Sequence, residues 1–326
     1  MRAPRENPAL VGHEAAEREF EAAMARGRLH HAWLITGPEG VGKATLAFRF
    51  ARRLLTTKGD ANDKVNPVFR RVAQKTHADL LTVEREFDEK RKRQRSEIVV
   101  DDARDIAGFL RLTSAEGGWR VVVVDGAEHL NRNAANALLK VLEEPPQRAV
   151  LLLSCAAPGR LLPTIRSRCR RLRLLPLGEA DMARALALVL PEESEGVRAG
   201  LMAISGGAPG RAALLAAEGG VAIAGLVEEM LEAAPTIPVA RAYEVADRVG
   251  RHESGYETFM TLLRDRLGRS VREAARGRGD RLAGLRPLGE WGEVWHALGR
   301  LQDETERANL DKRHAIIAGL DLLNAR

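Results

Sequence analysis

Val121 to Val124 is an unbroken apolar, β-branched run that ends at Asp125. Such a run reads as a strand buried on both faces, because a half-exposed strand alternates apolar with polar side chains. Asp125 then puts a carboxylate at the carboxyl end of a buried strand, where open α/β sheets bind their ligands. Behind it, Asn131 to Glu144 carries Ala134, Leu138, Val141 and Leu142 at helical spacing, and Pro145 stops the run. Glu143 and Glu144 fall at the negative end of that helix, where each carboxylate is unfavourable by roughly 0.3–1 kcal/mol. Either they form a solvated terminus cut short by two prolines, or something cationic outside the chain meets them.

A second strand signal, Ala32 to Thr36, leads into Gly37-Pro38-Glu39-Gly40-Val41-Gly42-Lys43-Ala44-Thr45, and Leu46 to Leu55 follows as a helix. Strand, glycine-rich loop and helix form the context in which a Walker A pattern makes a phosphate site. Gly37, Gly40 and Gly42 let backbone N–H groups curl round an anion that faces the positive end of the helix. Lys43 would reach the terminal phosphates. The next residue should be Ser or Thr, whose hydroxyl ligates magnesium, but it is Ala44. Thr45 lies about 100° further round the helix and does not simply take over. The site stays open to ATP or ADP, with Mg2+ expected weak or absent unless water fills the vacancy.

The remaining chain supports an α/β domain with helical modules after it. Val11 to Arg26 is a candidate helix ended by Gly27, and Leu80 to Val83 a strand preceded by His77 and Asp79. A lone histidine there is a capping or packing residue more often than a ligand. Ile98 to Val100 lead into a helix opening at Asp101 or Asp102, either a good N-cap. Ala149 to Leu153 is another buried strand, ending at Ser154, and Leu172 to Leu177 is expected as the last. Glu179 to Leu190 and Glu192 to Ser205 read as helices, and Gly206 to Gly210 break the chain before Arg211 opens a new one. Phe259, Leu262, Leu263 and Leu267, and later Trp291, Trp295, Leu298 and Leu301, follow helical stripes that are core first and interface second.

Composition narrows the classes. The 326 residues suit two or three modules, and a net charge of +6 favours a polyanionic partner only weakly. The run Lys90 to Arg95 contains no interleaved aromatic, so a solvated loop is favoured over a nucleic-acid contact. No stretch reaches the ~18 apolar residues of a membrane span, and the polar N-terminus lacks a secretory core. Cys155 and Cys169 are the whole cysteine complement, too few for a four-thiolate metal site and in keeping with a reducing, cytoplasmic compartment.

Asn136 to Pro146, Asn-Ala-Leu-Leu-Lys-Val-Leu-Glu-Glu-Pro-Pro, resembles the signature of bacterial clamp-loader subunits. With the other motifs the chain resembles the delta prime type of DNA polymerase III clamp-loader subunit, within the AAA+ superfamily. The likeness runs from Val11 to about Arg211; beyond that it rests on length and helical character. It implies an AAA+ nucleotide-binding domain at 1–175, a helical lid at 176–219 and a helical collar at 220–326. By the same likeness Ser154 is the sensor-one residue and Arg211 the sensor-two arginine reaching back from the lid. Pro163 to Cys169 contains Ser-Arg-Cys, similar to the family's arginine-finger motif, so Arg168 would project to a neighbour's γ-phosphate. Many relatives carry a four-cysteine zinc module near Thr56 to Ala73; this segment has no cysteine, so no zinc is expected.

An ATPase of this kind needs a carboxylate directly after the strand aspartate, and that residue is Gly126; Glu128 lies further on. The losses at Ala44 and Gly126, beside an intact finger motif, imply a subunit that hydrolyses little or nothing and serves a neighbour's site. It would be part of a polymerase holoenzyme without polymerase activity of its own. The implied partners are delta and gamma/tau subunits in a hetero-pentameric ring, the sliding clamp, and primed DNA contacted within the complex. An autonomous AAA+ ATPase of gamma/tau type is the alternative. A ring-free nucleotide-binding regulator would leave the Ser-Arg-Cys motif without a purpose.

Overall fold

The computed structural model describes residues 2–88 and 93–324. The chain divides into two compact units, residues 1–191 with 206–211, and residues 192–205 with 212–326.

The first unit is built on five parallel strands. In chain order these are β1 (Ala32–Thr36), β2 (Leu80–Val83), β5 (Arg120–Val124), β6 (Ala149–Cys155) and β7 (Arg170–Arg173). Between β2 and β5 lies a small antiparallel pair, β3 (Phe87–Asp88) and β4 (Arg93–Gln94). The spatial order of the main sheet is β2-β5-β6-β1-β7. Within the central strands the period of two sends alternate residues to opposite cores. Trp33, Ile35, Val121, Val123, Val150 and Leu152 pack on one side with Phe20, Leu46 and Phe50. Leu34, Val122, Val124, Leu151 and Leu153 pack on the other with Ile106 and Leu138. Both faces are therefore covered, and the apolar run Val121 to Val124 is fully buried.

Helices α1 (Glu14–Ala25), α2 (Lys43–Leu55) and α3 (Pro67–Ala73) contribute to the first core. Helices α4 (Val100–Arg111), α5 (Arg132–Glu143) and α6 (Pro163–Ser167) contribute to the second, and α7 (Glu179–Val189) follows β7. Helix α5 is capped by Asn131, whose side chain accepts from Ala134 N at 2.9 Å. Helix α4 departs from expectation: it opens at Val100, and Asp102 acts from inside the first turn by accepting from Val99 N at 2.9 Å.

Several further boundaries differ from the sequence reading, two of them at the sheet edge and the glycine loop. The last strand is Arg170–Arg173, earlier than Leu172 to Leu177. It is an edge strand on which only Leu172 is buried, so arginines suit its exposed positions and deter further pairing. Arg170 pairs with Glu19 at 2.8 Å and lies over the Trp33 ring. Helix α2 begins at Lys43 rather than Leu46, so Lys43, Ala44 and Thr45 form its first turn.

The second unit is helical: α8 (Glu195–Ile204), the later part of α9 (Pro209–Ala217), α10 (Gly220–Ala233), α11 (Val239–Val249), α12 (Gly255–Ala274), α13 (Leu288–Ala308) and α14 (Lys312–Asp321). The stripes on α12 and α13 are core: Phe259, Leu262, Leu263, Leu267, Trp291 and Leu298 are buried. Buried tryptophan N–H groups need acceptors. Trp291 donates to Leu282 O at 3.0 Å, and Trp295 to Arg264 O at 3.1 Å.

Among the described residues no single helix is long and apolar enough to cross a membrane.

Candidate functional site

The loop after β1 turns on glycines. Gly40 has φ 73°, and a Cβ built on it would lie 2.4 Å from Arg211 N. Gly210 N donates to Gly40 O at 2.8 Å, so the backbone beside Arg211 closes directly on the loop. Gly42 caps α2 with no side-chain acceptor for its first-turn N–H groups, the condition under which a helix start binds an anion. The loop is braced from behind by buried His13, whose Nε2 lies 2.9 Å from Val41 O. A carbonyl only accepts, so that nitrogen carries the proton.

Lys43 is buried, and its Nζ donates to Pro38 O at 2.8 Å within the same loop. Burial lowers its pKa, against the attraction of Glu128 first, then Asp125 and Glu39. Asp125, at the end of β5, is raised by burial, while the hydrogen bond from Ser154 pulls it down. Ser154 Oγ donates to Asp125 Oδ1 at 2.6 Å and accepts from Gly126 N at 3.0 Å. The ends of β5 and β6 are thus tied through one hydroxyl.

Gly126 has φ 80°, and a Cβ there would meet His129 Cδ2 at 2.9 Å. The position is shaped for glycine by both conformation and space. Glu128, in the short 3-10 turn Ala127–His129, accepts from Ala156 N at 2.9 Å through Oε1. Its Oε2 is buried without a described partner. Burial, reinforced by Glu128, pushes the neighbouring Cys155 thiol up to about 12.

The structure therefore brings together Gly37, Gly40, Gly42, Lys43, Asp125, Ser154 and the backbone of Arg211. Thr45 is buried in the first turn of α2. The loop suits the phosphates of a nucleotide: it offers uncapped N–H groups and a lysine. The donor set for magnesium fits poorly, since Ala44 has no hydroxyl and Asp125 is already engaged by Ser154. Among the described residues no cluster of three His, Cys, Asp or Glu side chains is placed to hold a metal ion.

Arg168 stands elsewhere, at the end of α6. Its Nη1 donates to Thr164 O at 3.1 Å, and its Nη2 lies 2.9 Å from Glu143 Oε1. This corrects one expectation about the end of α5: the cation meeting Glu143 belongs to the chain itself. His77 is a packing residue as expected; it is buried, and its Nδ1 accepts from Asp79 N at 3.2 Å. Burial would raise Asp79, but hydrogen bonds from Ala115 N, Ser114 Oγ and Glu116 N hold it below its ordinary value. The basic run Lys90 to Arg95 lies largely outside the described residues.

His13 and Glu128 are the site residues that sequence reasoning missed or set aside. No motif links His13 to the loop it braces. Glu128 was visible as a carboxylate near Asp125, but its tie to Ala156 depends on how β6 ends.

A parallel five-stranded sheet with a glycine loop ending β1 and leading into α2 defines an α/β phosphate-loop protein. Residues 12–178 match the family model described as DNA polymerase III, delta subunit, and the chain belongs to that family. It is 42% identical over 187 residues to DNA polymerase III subunit delta' of Pseudomonas aeruginosa, a match covering 56% of this chain and 55% of that protein. It is 32% identical over 186 residues to subunit tau of Escherichia coli K12, covering 56% of this chain and 28% of that protein. The chain spans about half the length of the first relative and less of the second. A solved DNA polymerase III gamma subunit-related protein from Thermotoga maritima overlaps 95% of this chain and 98% of its own, at 20% identity. The TM-score of that overlap is 0.46.

Proposed function

We propose that this chain is a delta prime-type clamp-loader subunit that holds a nucleotide, hydrolyses little or none of it, and lends Arg168 to an adjacent ATPase subunit. The observation that carries the reading is Gly126. A hydrolytic site of this architecture polarises its attacking water with a carboxylate directly after the strand aspartate. Here that position is a left-handed glycine crowded by His129, and the nearby Glu128 is tied to Ala156 N. Magnesium, when bound, would neutralise charge between the phosphates, but Ala44 offers it no oxygen.

In this reading the loop N–H groups and Lys43 hold the phosphates, while Asp125, Ser154 and Arg211 complete the pocket. Residues 176–219 act as a lid and 220–326 as the collar. Arg168 neutralises charge as a neighbour's phosphoryl group departs, a contribution that can reach about 10³–10⁵ in rate. The partners are delta and gamma/tau subunits in a hetero-pentameric ring, which opens the sliding clamp and places it on primed DNA during replication.

ATP turnover by the purified chain alone tests the hydrolytic half of the reading. Negligible turnover is expected, together with nucleotide binding that Lys43→Ala abolishes. Robust turnover that disappears in Lys43→Ala would instead make the chain an autonomous motor of gamma/tau type, a reading favoured by the intact loop lysine.

A further inference from the structure

Two motifs that are separate in the sequence meet in the fold. Glu143 ends α5, and Arg168 caps α6. At the end of α5 the last carbonyls carry the negative pole of the helix, which disfavours a carboxylate and favours a guanidinium beside it. Arg168 supplies that guanidinium, with Nη2 2.9 Å from Glu143 Oε1 and Nη1 donating to Thr164 O at 3.1 Å. A guanidinium has five N–H donors in one rigid plane. Two anchors on one plane fix its orientation and leave other donors uncommitted among the described contacts. The side chains keep 36% and 51% of their exposure, so a phosphate can approach the pair.

We propose that Glu143 is a positioning residue for Arg168, holding the guanidinium at the surface with its remaining donors presented to a triphosphate on an adjacent subunit. The inference rests on the trans role proposed for Arg168. An arginine already held loses less rotamer freedom on docking, so the gain falls on the chemical step. A half-exposed ion pair contributes little to stability, so its loss should affect turnover and leave the fold alone.

The test uses the reconstituted complex in which only the adjacent ATPase subunit can hydrolyse, the others carrying substitutions of their phosphate-loop lysines. Glu143→Ala is expected to lower kcat for ATP about three- to tenfold with KM within about twofold, as misorientation of a catalytic group does. Its melting temperature should match the parent's. Glu143→Gln keeps an acceptor and should recover part of the loss; exposed Glu144→Ala should change nothing. Glu143→Ala/Arg168→Ala should be no slower than Arg168→Ala alone, because positioning has no object without the arginine. Unchanged or raised kcat in Glu143→Ala, or additive losses in the double variant, would overturn the inference while the finger stands. Unchanged turnover in Arg168→Ala would remove the finger reading and this inference with it. Should Glu143→Ala fail to assemble, Glu143→Gln carries the comparison, and a parental kcat there overturns the proposal.

Discussion

At the carboxyl ends of β1, β5 and β6 the polar groups largely satisfy one another, Glu128 Oε2 excepted. Lys43 donates to its own loop, Ser154 bridges Asp125 and Gly126, and Glu128 holds Ala156. At the end of α6, by contrast, Arg168 is half exposed and held by a surface carboxylate and one carbonyl. The first region is closed and glycine-shaped; the second presents a charge outward. Burial explains the difference in cost. A buried polar group left unpaired costs about 1–3 kcal/mol, whereas an exposed ion pair is worth well under 1 kcal/mol either way. The sheet ends are locked by buried contacts, and the part proposed to act on another molecule is held in orientation at the surface by a pair whose loss costs the fold little.

Substitutions in the closed region sharpen this contrast. Gly40→Val adds a Cβ 2.4 Å from Arg211 N on a residue at φ 73°. A loss of about 2–4 kcal/mol is expected from strain plus clash, with nucleotide binding gone, as read by thermal melting and titration. A parental melting curve would mean the loop is looser than described. Gly126→Glu restores the missing carboxylate in sequence only. We expect about 1–2 kcal/mol of destabilisation and no gain of hydrolysis, since φ 80° and His129 oppose the side chain and Ala44 remains. Turnover gained by that single change would show the region is one step from activity.

Asp125→Asn gives a smaller effect with a defined pH course. Burial raises the folded pKa of Asp125 above its ordinary 3.8, so the folded chain binds the proton more tightly than the unfolded one. Stability from this group is therefore full below pH 3.8 and is lost as pH rises through the raised folded value. The variant should match the parent below pH 3.8 and exceed it at neutral pH in nucleotide-free melts; equal stability throughout would place Asp125 in a wetter site. The smallest expected effect is at Cys155, whose thiol is pushed up to about 12 mainly by burial. It should resist alkylation at neutral pH in the native protein, and rapid labelling would contradict a closed site.

Much of this was legible in the sequence. Unbroken apolar runs identified the central strands, because two-sided burial leaves no place for polar side chains. Glycine spacing marked the loop because each position needs a conformation or a closeness that other residues resist. Periodicity failed where burial is one-sided or brief. Strand β7 is Arg-Arg-Leu-Arg at an edge, and the first turn of α2, Lys-Ala-Thr, has no apolar repeat. Partners distant in sequence were the least visible. Arg52 is fully buried, its pKa lowered to about 10 by burial, and it donates to Arg5 O, Asn7 O and Asn62 Oδ1. Nothing near it announces those acceptors. Glu143 left open whether a cation meets the end of α5, and the spacing gave no hint that Arg168 supplies one.

The most direct measurement compares Lys43→Ala with Arg168→Ala in the reconstituted complex, reading ATP turnover at the adjacent subunit's site with primed DNA and clamp present. The account predicts that Arg168→Ala lowers that turnover by about 10³ or more while assembly persists, and that Lys43→Ala leaves it close to the parent's. A collapse with Lys43→Ala and parental turnover with Arg168→Ala would contradict it.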